Sequence, residues 1–277
     1  MEKAYVDYET LEYYKNNAST LACRYAKAKG GIELWFDVAF PKDARILDVG
    51  TAAGRDVLLL LEAGFDAYGV DPCQELIQEG IRANLALQDR LWCDALPELD
   101  TIPDNSFDGV LCSAVLMHLP EEVLFDAVFN LRRVLKSGGR LLVSLPVDTS
   151  GKPINVRDKN GRFFNGLAPE KLELLLTRIG FSCVARGENN DSLGREGRKW
   201  VVQLFVLETD GADRSIDRIE SVLNRDKKTA TYKLALFRAL AEIGMTQYNQ
   251  ARWKWTKGSA DKTLQKNKIL VKLGRNA

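Results

Sequence analysis

One eleven-residue run constrains this chain more than any other: ILDVGTAAGRD, residues 46–56. A short apolar stretch closed by Gly50 reads as a buried strand, and a helical pattern over residues 54–61 follows almost at once. The small residues between them let backbone approach a ligand closely, and the helix start offers unpaired N–H groups. A glycine-rich turn alone is also compatible with a purely structural bend. A second strand, residues 67–70, however, ends in Asp71 within YGVDP. An acid at a strand end about twenty residues after such a loop is placed to accept from ribose hydroxyls. Loop and acid together predict a nucleotide-like ligand. Asp71 is expected at a loop, outside the core, so that its replacement spares the fold.

The alternation continues along the chain. Strands are expected over residues 44–49, 67–70, 91–93, 107–112 and 140–145, the last ending before Pro146. Helices are expected over residues 54–61, 74–87, 121–135 and 169–179, with stops at Ser137-Gly138-Gly139 and at Gly180. Residues 147–166 read as a loop, and residues 181–186 and 199–207 as paired strands joined by a polar linker over 187–198. Strands alternating with helices predict an α/β, doubly wound, mainly parallel sheet.

The loop lacks a complete G-x-G-x-x-G and a G-K-[ST], and Asp48 at its mouth repels a pyrophosphate. A third acid, Asp94 in WCDALPEL, follows the next strand. Acids at three successive strand ends fit an adenosine carrying an ammonium and a sulfonium rather than phosphates.

Residues 40–207 resemble a class I S-adenosylmethionine-dependent methyltransferase of the methyltransferase domain 11/25 type. The pieces that carry the resemblance are ILDVGTAAG, AYGVDPCQELI, WCDALPEL, SFDGVLCSAVLMHLP, LRRVLKSGGRLLVSLP and RFFNGLAPEKLELLLTRIGF, in that order. The resemblance implies a Rossmann-like seven-stranded sheet ending in an antiparallel hairpin, with S-adenosylmethionine as cofactor. It assigns Gly50, Thr51, Ala52 and Gly54 to the methionine moiety, and Asp71, beside Pro72, to the ribose. Asp94, Ala95 and Leu96 fall to the adenine, and Ser113, Ala114 and Val115 to the methionine and methyl. Ala52 stands where the family usually has a glycine, which implies a shifted loop rather than lost binding.

The stretch YETLEYYKNNA, residues 8–18, resembles the lid helix of these enzymes, with Tyr13 and Tyr14 over the cofactor carboxylate and Arg24 or Arg55 pairing with it. A helix packed on the sheet with surface tyrosines fits equally. His118, the only histidine, is a candidate general base on the acceptor side. A structural histidine beside the helix start at Glu121 is the preferred reading. The segment with Arg157, Lys159, Arg162, Phe163, Phe164 and Asn165 either shapes the acceptor pocket or is a solvated loop. A DNA-amino motif and a Pro-Cys nucleophile are missing where the family carries them, so an O, N or C nucleophile of a small molecule is expected.

Formal net charge is +1, but residues 213–277 hold 15 Lys and Arg against 6 Asp and Glu. An acidic body and a basic tail suggest two functional units. With the lid that the resemblance implies, the chain is expected to comprise an N-terminal helical lid (1–39), a cofactor-binding domain (40–208) and a basic helical extension (209–277). Helical patterns over 213–223 and 229–243, then Trp253 and Trp255, suit nucleic-acid contact, which gives the alternative of an RNA or DNA methyltransferase. A solvated helical hairpin, a homodimerisation arm or a protein-docking surface is the competing reading. Residues 217–243 resemble, briefly and without a catalytic motif, helical segments of bacterial nuclease-type defence proteins. A non-catalytic cofactor-binding or partner-binding protein is a further alternative.

At 45% hydrophobic and 28% charged residues, the chain is not disordered. Five widely spaced cysteines and one histidine predict no metal site and reduced thiols, hence a cytoplasmic protein. Residues 1–20 carry no secretory signal, and no apolar run is long enough for a membrane span.

Overall fold

The computed structural model describes residues 7–28, 31–208, 263–266 and 269–272. The helices expected over 213–223 and 229–243, and Trp253 and Trp255, lie outside the described residues. The chain divides into two units, 1–209 and 210–277. In the second, Thr263–Lys266 and Ile269–Lys272 pair as an antiparallel two-stranded ladder.

The first unit opens with helices α1 (Tyr8–Asn16), α2 (Ala18–Ala26) and α3 (Phe36–Ala39). Then come β1 (Arg45–Val49), α4 (Arg55–Glu62), β2 (Asp66–Asp71), α5 (Gln74–Ala83), β3 (Leu91–Cys93) and β4 (Phe107–Ser113). They are followed by α6 (Leu124–Val134), β5 (Leu135–Asp148), β6 (Asn155–Arg157), β7 (Phe163–Asn165), α7 (Pro169–Arg178), β8 (Phe181–Asn190) and β9 (Arg198–Leu207). Seven strands form one sheet in the order β3-β2-β1-β4-β5-β9-β8. The first five are parallel; β9 runs antiparallel to β5, and β8 antiparallel to β9. This is the doubly wound α/β sheet with a terminal hairpin that the sequence predicts.

Ile46, Leu47, Val70, Leu111 and Leu142 are fully buried, as the two covered faces of a parallel sheet require. Each such side chain contributes about 1.5–3 kcal/mol by leaving water. Strand order reverses between β1 and β4, and the crevice at such a switch point, outside the strands' carboxyl ends, is where open α/β sheets take ligands.

Three elements differ from expectation. β5 starts at Leu135 and absorbs the Ser137-Gly138-Gly139 turn as an irregularity: Phe107 faces Leu135, yet Gly109 already faces Arg140. It also continues through Pro146 to Asp148, because pairing with β4 ends at Ser144 and leaves a free edge where a missing N–H is tolerated. Residues 147–166 are not one loop, since β6 and β7 form a small hairpin within them. Likewise, the supposed linker over 187–198 is shorter than expected: β8 runs to Asn190 and β9 starts at Arg198, which leaves residues 191–197 as the turn between them.

Candidate active site

A crevice of about 260 Å³ opens at the switch point. Its floor is the turn after β1. Gly50 adopts φ 77°, and a Cβ there would lie 2.2 Å from Val115 Cγ2. Ala52 follows at φ 51° and Ala114, opposite on the β4 turn, at φ 61°. Left-handed non-glycine residues cost energy and persist where surroundings hold them, often at ligand sites.

Asp71 does the holding. Its Oδ2 accepts from Ala52 N and its Oδ1 from Cys73 N, both at 2.8 Å. A carboxylate has about four acceptor positions, so each oxygen can still accept from a ligand hydroxyl. Burial pushes its pKa up to about 6. The side chain is therefore part of the packed structure, contrary to the expectation of a loop acid that can be replaced freely.

Asp94 also faces the crevice. Its Oδ1 accepts from Ala95 N at 2.7 Å, and its Oδ2 from the backbone and hydroxyl of Thr101, which fixes the turn carrying Ala95 and Leu96. Ser113 and Ser144 hydroxyls pair at 2.8 Å across β4 and β5. Gly50, Thr51, Ala52, Arg55, Asp71, Pro72, Asp94, Ala95, Leu96, Ser113, Ala114, Val115, Tyr14 and His118 thus meet in one space.

Four residues expected there do not line it. Tyr13, next to Tyr14 on α1, lies instead against the Arg162 guanidinium, whose carbon stands 4.9 Å from the tyrosine ring centroid. Asp48 is buried inside β1, two residues before the turn starts, and burial together with the Asp56 and Asp71 charges pushes its pKa well above the carboxylate range. It is not an acid at the crevice mouth. Gly54 caps α4 at φ 77° and faces away, where a Cβ would meet Leu91 and Leu87 at 2.8 and 2.9 Å. Arg24 is exposed on α2, about 100° of helical rotation from Tyr25, which does line the crevice. It borders a shallow surface recess instead. Arg55, the other candidate cation, is bound to Glu33 at 2.5 Å and to Asp56 at 3.2 Å.

The far wall comes from the two hairpins. His118 Nδ1 lies 2.5 Å from the Phe163 carbonyl of β7. A carbonyl only accepts, so Nδ1 carries the proton and Nε2 holds a lone pair. Tyr14 from α1 is 3.4 Å from Nε2 and donates its hydroxyl to it. Burial lowers the His118 pKa to about 4, which keeps the ring neutral. Further ties join α1 to the hairpin: Phe163 N donates to Thr10 Oγ1 at 2.9 Å, and Arg157 grips both oxygens of Asp7 at 3.0 and 2.8 Å. Arg162, Asn189, Arg195 and Trp200 also line the crevice. Of these only Arg162 was expected near an acceptor; the others sit in what reads as linker or ordinary strand.

Among the described residues, no group of three His, Cys, Asp or Glu side chains is placed to hold a metal ion. No helix among them is long and apolar enough to cross a membrane.

Residues 47–143 match the family model of the methyltransferase domain, and residues 212–262 that of a domain of unknown function. An uncharacterized methyltransferase of Schizosaccharomyces pombe is 35% identical over 113 residues, covering 35% of this chain and 38% of that protein. One of Mycobacterium tuberculosis is 35% identical over 97 residues, covering 35% and 37%. The matched stretch spans under two fifths of these curated relatives. Among solved structures, the 1,6-didemethyltoxoflavin-N1-methyltransferase of Burkholderia thailandensis, with bound 1,6-didemethyltoxoflavin and S-adenosylhomocysteine, has TM-score 0.60 and 18% identity over 72% of this chain and 88% of that one. A Methanosarcina mazei S-adenosylmethionine-dependent methyltransferase has TM-score 0.53 and 19% identity over 63% and 99%. The 4+2 cyclase SpnF has TM-score 0.56 and 15% identity over 76% and 100%. At these identities the likeness is one of fold. Residues 47–143 are thus similar to the methyltransferase domain, and the sheet has the fold of solved class I S-adenosylmethionine-dependent methyltransferases.

Proposed function

We propose that residues 40–208 bind S-adenosylmethionine in this crevice and transfer its methyl group to a small molecule. One observation carries the reading: the Gly50 turn, Asp71 and the Asp94–Leu96 turn line a single crevice at the carboxyl ends of three adjacent parallel strands. The donors and acceptors there fit the cofactor. Asp71 has spare acceptor positions for two ribose hydroxyls, Asp94 lies beside the apolar Leu96 for an adenine amino group, and Gly50 leaves room that a Cβ would fill.

The bound sulfonium supplies an electrophilic methyl carbon and a neutral thioether leaving group. The protein's own residues then have to hold an acceptor in line with that carbon and keep water out, and such positioning supplies most of the acceleration. Ser113, Ala114 and Val115, opposite the β1 turn, form the wall beside the reacting atoms, with Ala114 N fixed by Ser144 Oγ at 3.1 Å. His118 acts as a positioning group: its Nδ1 is spent on Phe163 and its Nε2 on Tyr14.

Residues 1–39 act as a lid, tied shut by Arg157 on Asp7. The closed wall above a small crevice supports a small-molecule acceptor. Residues 209–277 remain an extension through which RNA or DNA is the alternative acceptor. Two experiments on the full chain test the proposal. Calorimetric titration with S-adenosylmethionine and S-adenosylhomocysteine expects binding of both; binding of neither removes the enzyme reading. A labelled-methyl assay against fractionated extract expects label in small molecules, whereas label in RNA or DNA selects the alternative. Cofactor binding with no label in any fraction favours a non-catalytic role.

A further inference from the structure

The outer end of the crevice gathers arginines from three distant places in the sequence. Arg162 comes from the β6–β7 hairpin, Arg195 from the β8–β9 turn and Arg198 from the start of β9. Arg162 and Arg195 line the crevice, as do Trp200 and Val202. Side chains two apart on a strand share a face, so Arg198 lies on the crevice face of β9, one step beyond Trp200. Phe164 joins the group: the guanidinium carbons of Arg198 and Arg162 stand 5.0 and 5.7 Å from its ring centroid. That ring is buried against His118 at 4.9 Å, which places the cluster beside the acceptor end of the crevice.

Three guanidiniums here meet two carboxylates. Asp158 takes Nε and Nη2 of Arg162 at 3.0 and 2.6 Å. Asp191 takes Nε and Nη2 of Arg195 at 3.1 and 2.5 Å. Arg198 has no ion pair among the described residues, and its buried Nη1 has no hydrogen-bond partner. Asp148 faces Arg198 in the β5–β9 register, but its Oδ1 is engaged by the backbone of Ser150 and Lys152. Burial, with the charges of Arg195 and Arg162, lowers the Arg198 pKa. A buried charged donor without a partner is unfavourable, and an anion delivered by a ligand removes that penalty.

We infer that this cluster recognises a carboxylate on the methyl acceptor, so that the acceptor is a small organic anion. The inference rests on the proposed methyl transfer and names the charge class of its substrate. Arginine suits the task because its planar fork matches a carboxylate.

The test uses the full chain saturated with S-adenosylhomocysteine, titrated with benzoate and with benzamide, which share a shape and differ in charge. Benzoate is expected to bind at least about tenfold tighter. R198Q is expected to reduce benzoate to the benzamide level, with R198K recovering part of the preference and S-adenosylhomocysteine affinity unchanged. Thermal melting establishes that R198Q folds; if it does not, R195Q takes its place. Equal affinities for the two probes, or binding of neither, overturns the inference. Loss of S-adenosylhomocysteine affinity in R198Q with benzoate unaffected assigns the cluster to the cofactor's own carboxylate and overturns it too. A wild-type chain that fails to bind S-adenosylhomocysteine contradicts methyl transfer itself, while benzoate against benzamide still reads the charge preference of the cluster.

Discussion

Replacing Gly50 by alanine tests the cradle at its tightest point. Gly50 sits at φ 77°, where an alanine costs about 1–2 kcal/mol. The added Cβ would also lie 2.2 Å from Val115 Cγ2, and overpacking of that kind costs about 1–3 kcal/mol. The single variant should therefore lose about 2–5 kcal/mol, summing the two contributions. Ala52, at φ 51° in the same turn, indicates that this backbone holds an alanine in a left-handed conformation without collapse. Removing the obstructing methyl with V115A should then cancel the overpacking part and leave the backbone part. Urea unfolding of wild type, G50A, V115A and the double variant measures this as a coupling of about 1–3 kcal/mol in favour of the double variant. S-adenosylhomocysteine titration of the same four proteins should show affinity lost in G50A and partly regained in the double variant. Strict additivity of the two substitutions would refute the steric account of the cradle.

Asp71→Ala should abolish S-adenosylhomocysteine binding and also weaken the fold, because the amides of Ala52 and Cys73 lose their acceptors at about 1–3 kcal/mol each; calorimetry and urea unfolding read the two effects. Because Asp71 titrates at about 6 and ribose hydroxyls donate to its ionised form, wild-type affinity should be level above about pH 6 and fall about tenfold per unit below it. His118 titrates at about 4 when folded against about 6.5 when unfolded, so the unfolded chain binds more protons between those values. Wild type should accordingly lose about 3 kcal/mol relative to H118N as pH drops from about 7 to 4, measured by urea unfolding. Arg157→Gln should speed S-adenosylhomocysteine release in stopped-flow without shifting the unfolding midpoint greatly, since the Asp7 pair it breaks is partly exposed and joins the lid to the hairpin.

The strands and the ligand-facing turns were legible because they obey local rules. Ile46, Leu47 and Val49 are apolar because both sheet faces are covered, and Gly50 is glycine because its φ and Val115 demand it. What escaped depends on direction rather than composition. Nothing local distinguishes Asp48, buried within β1, from Asp71, which ends β2 two positions beyond Gly69, the register partner of Asp48, and so reaches the crevice. Arg24 and Tyr25 are adjacent, and only the phase of α2 decides which one turns inward. The Tyr14, His118 and Phe163 chain links α1 to segments more than a hundred residues away, and Asn189 reaches the crevice because β8 extends to Asn190, past the point where its apolar pattern fades. Such long-range placements leave no periodicity to read.

A crystal structure of the full chain grown with S-adenosylhomocysteine measures the central claim directly. Both ribose hydroxyls should lie within hydrogen-bond distance of Asp71, with the adenine between Asp94 and Leu96 and the sulfur above Ala114. Density for the ligand anywhere else, or a crevice that stays closed while the ligand binds a different surface, contradicts the account.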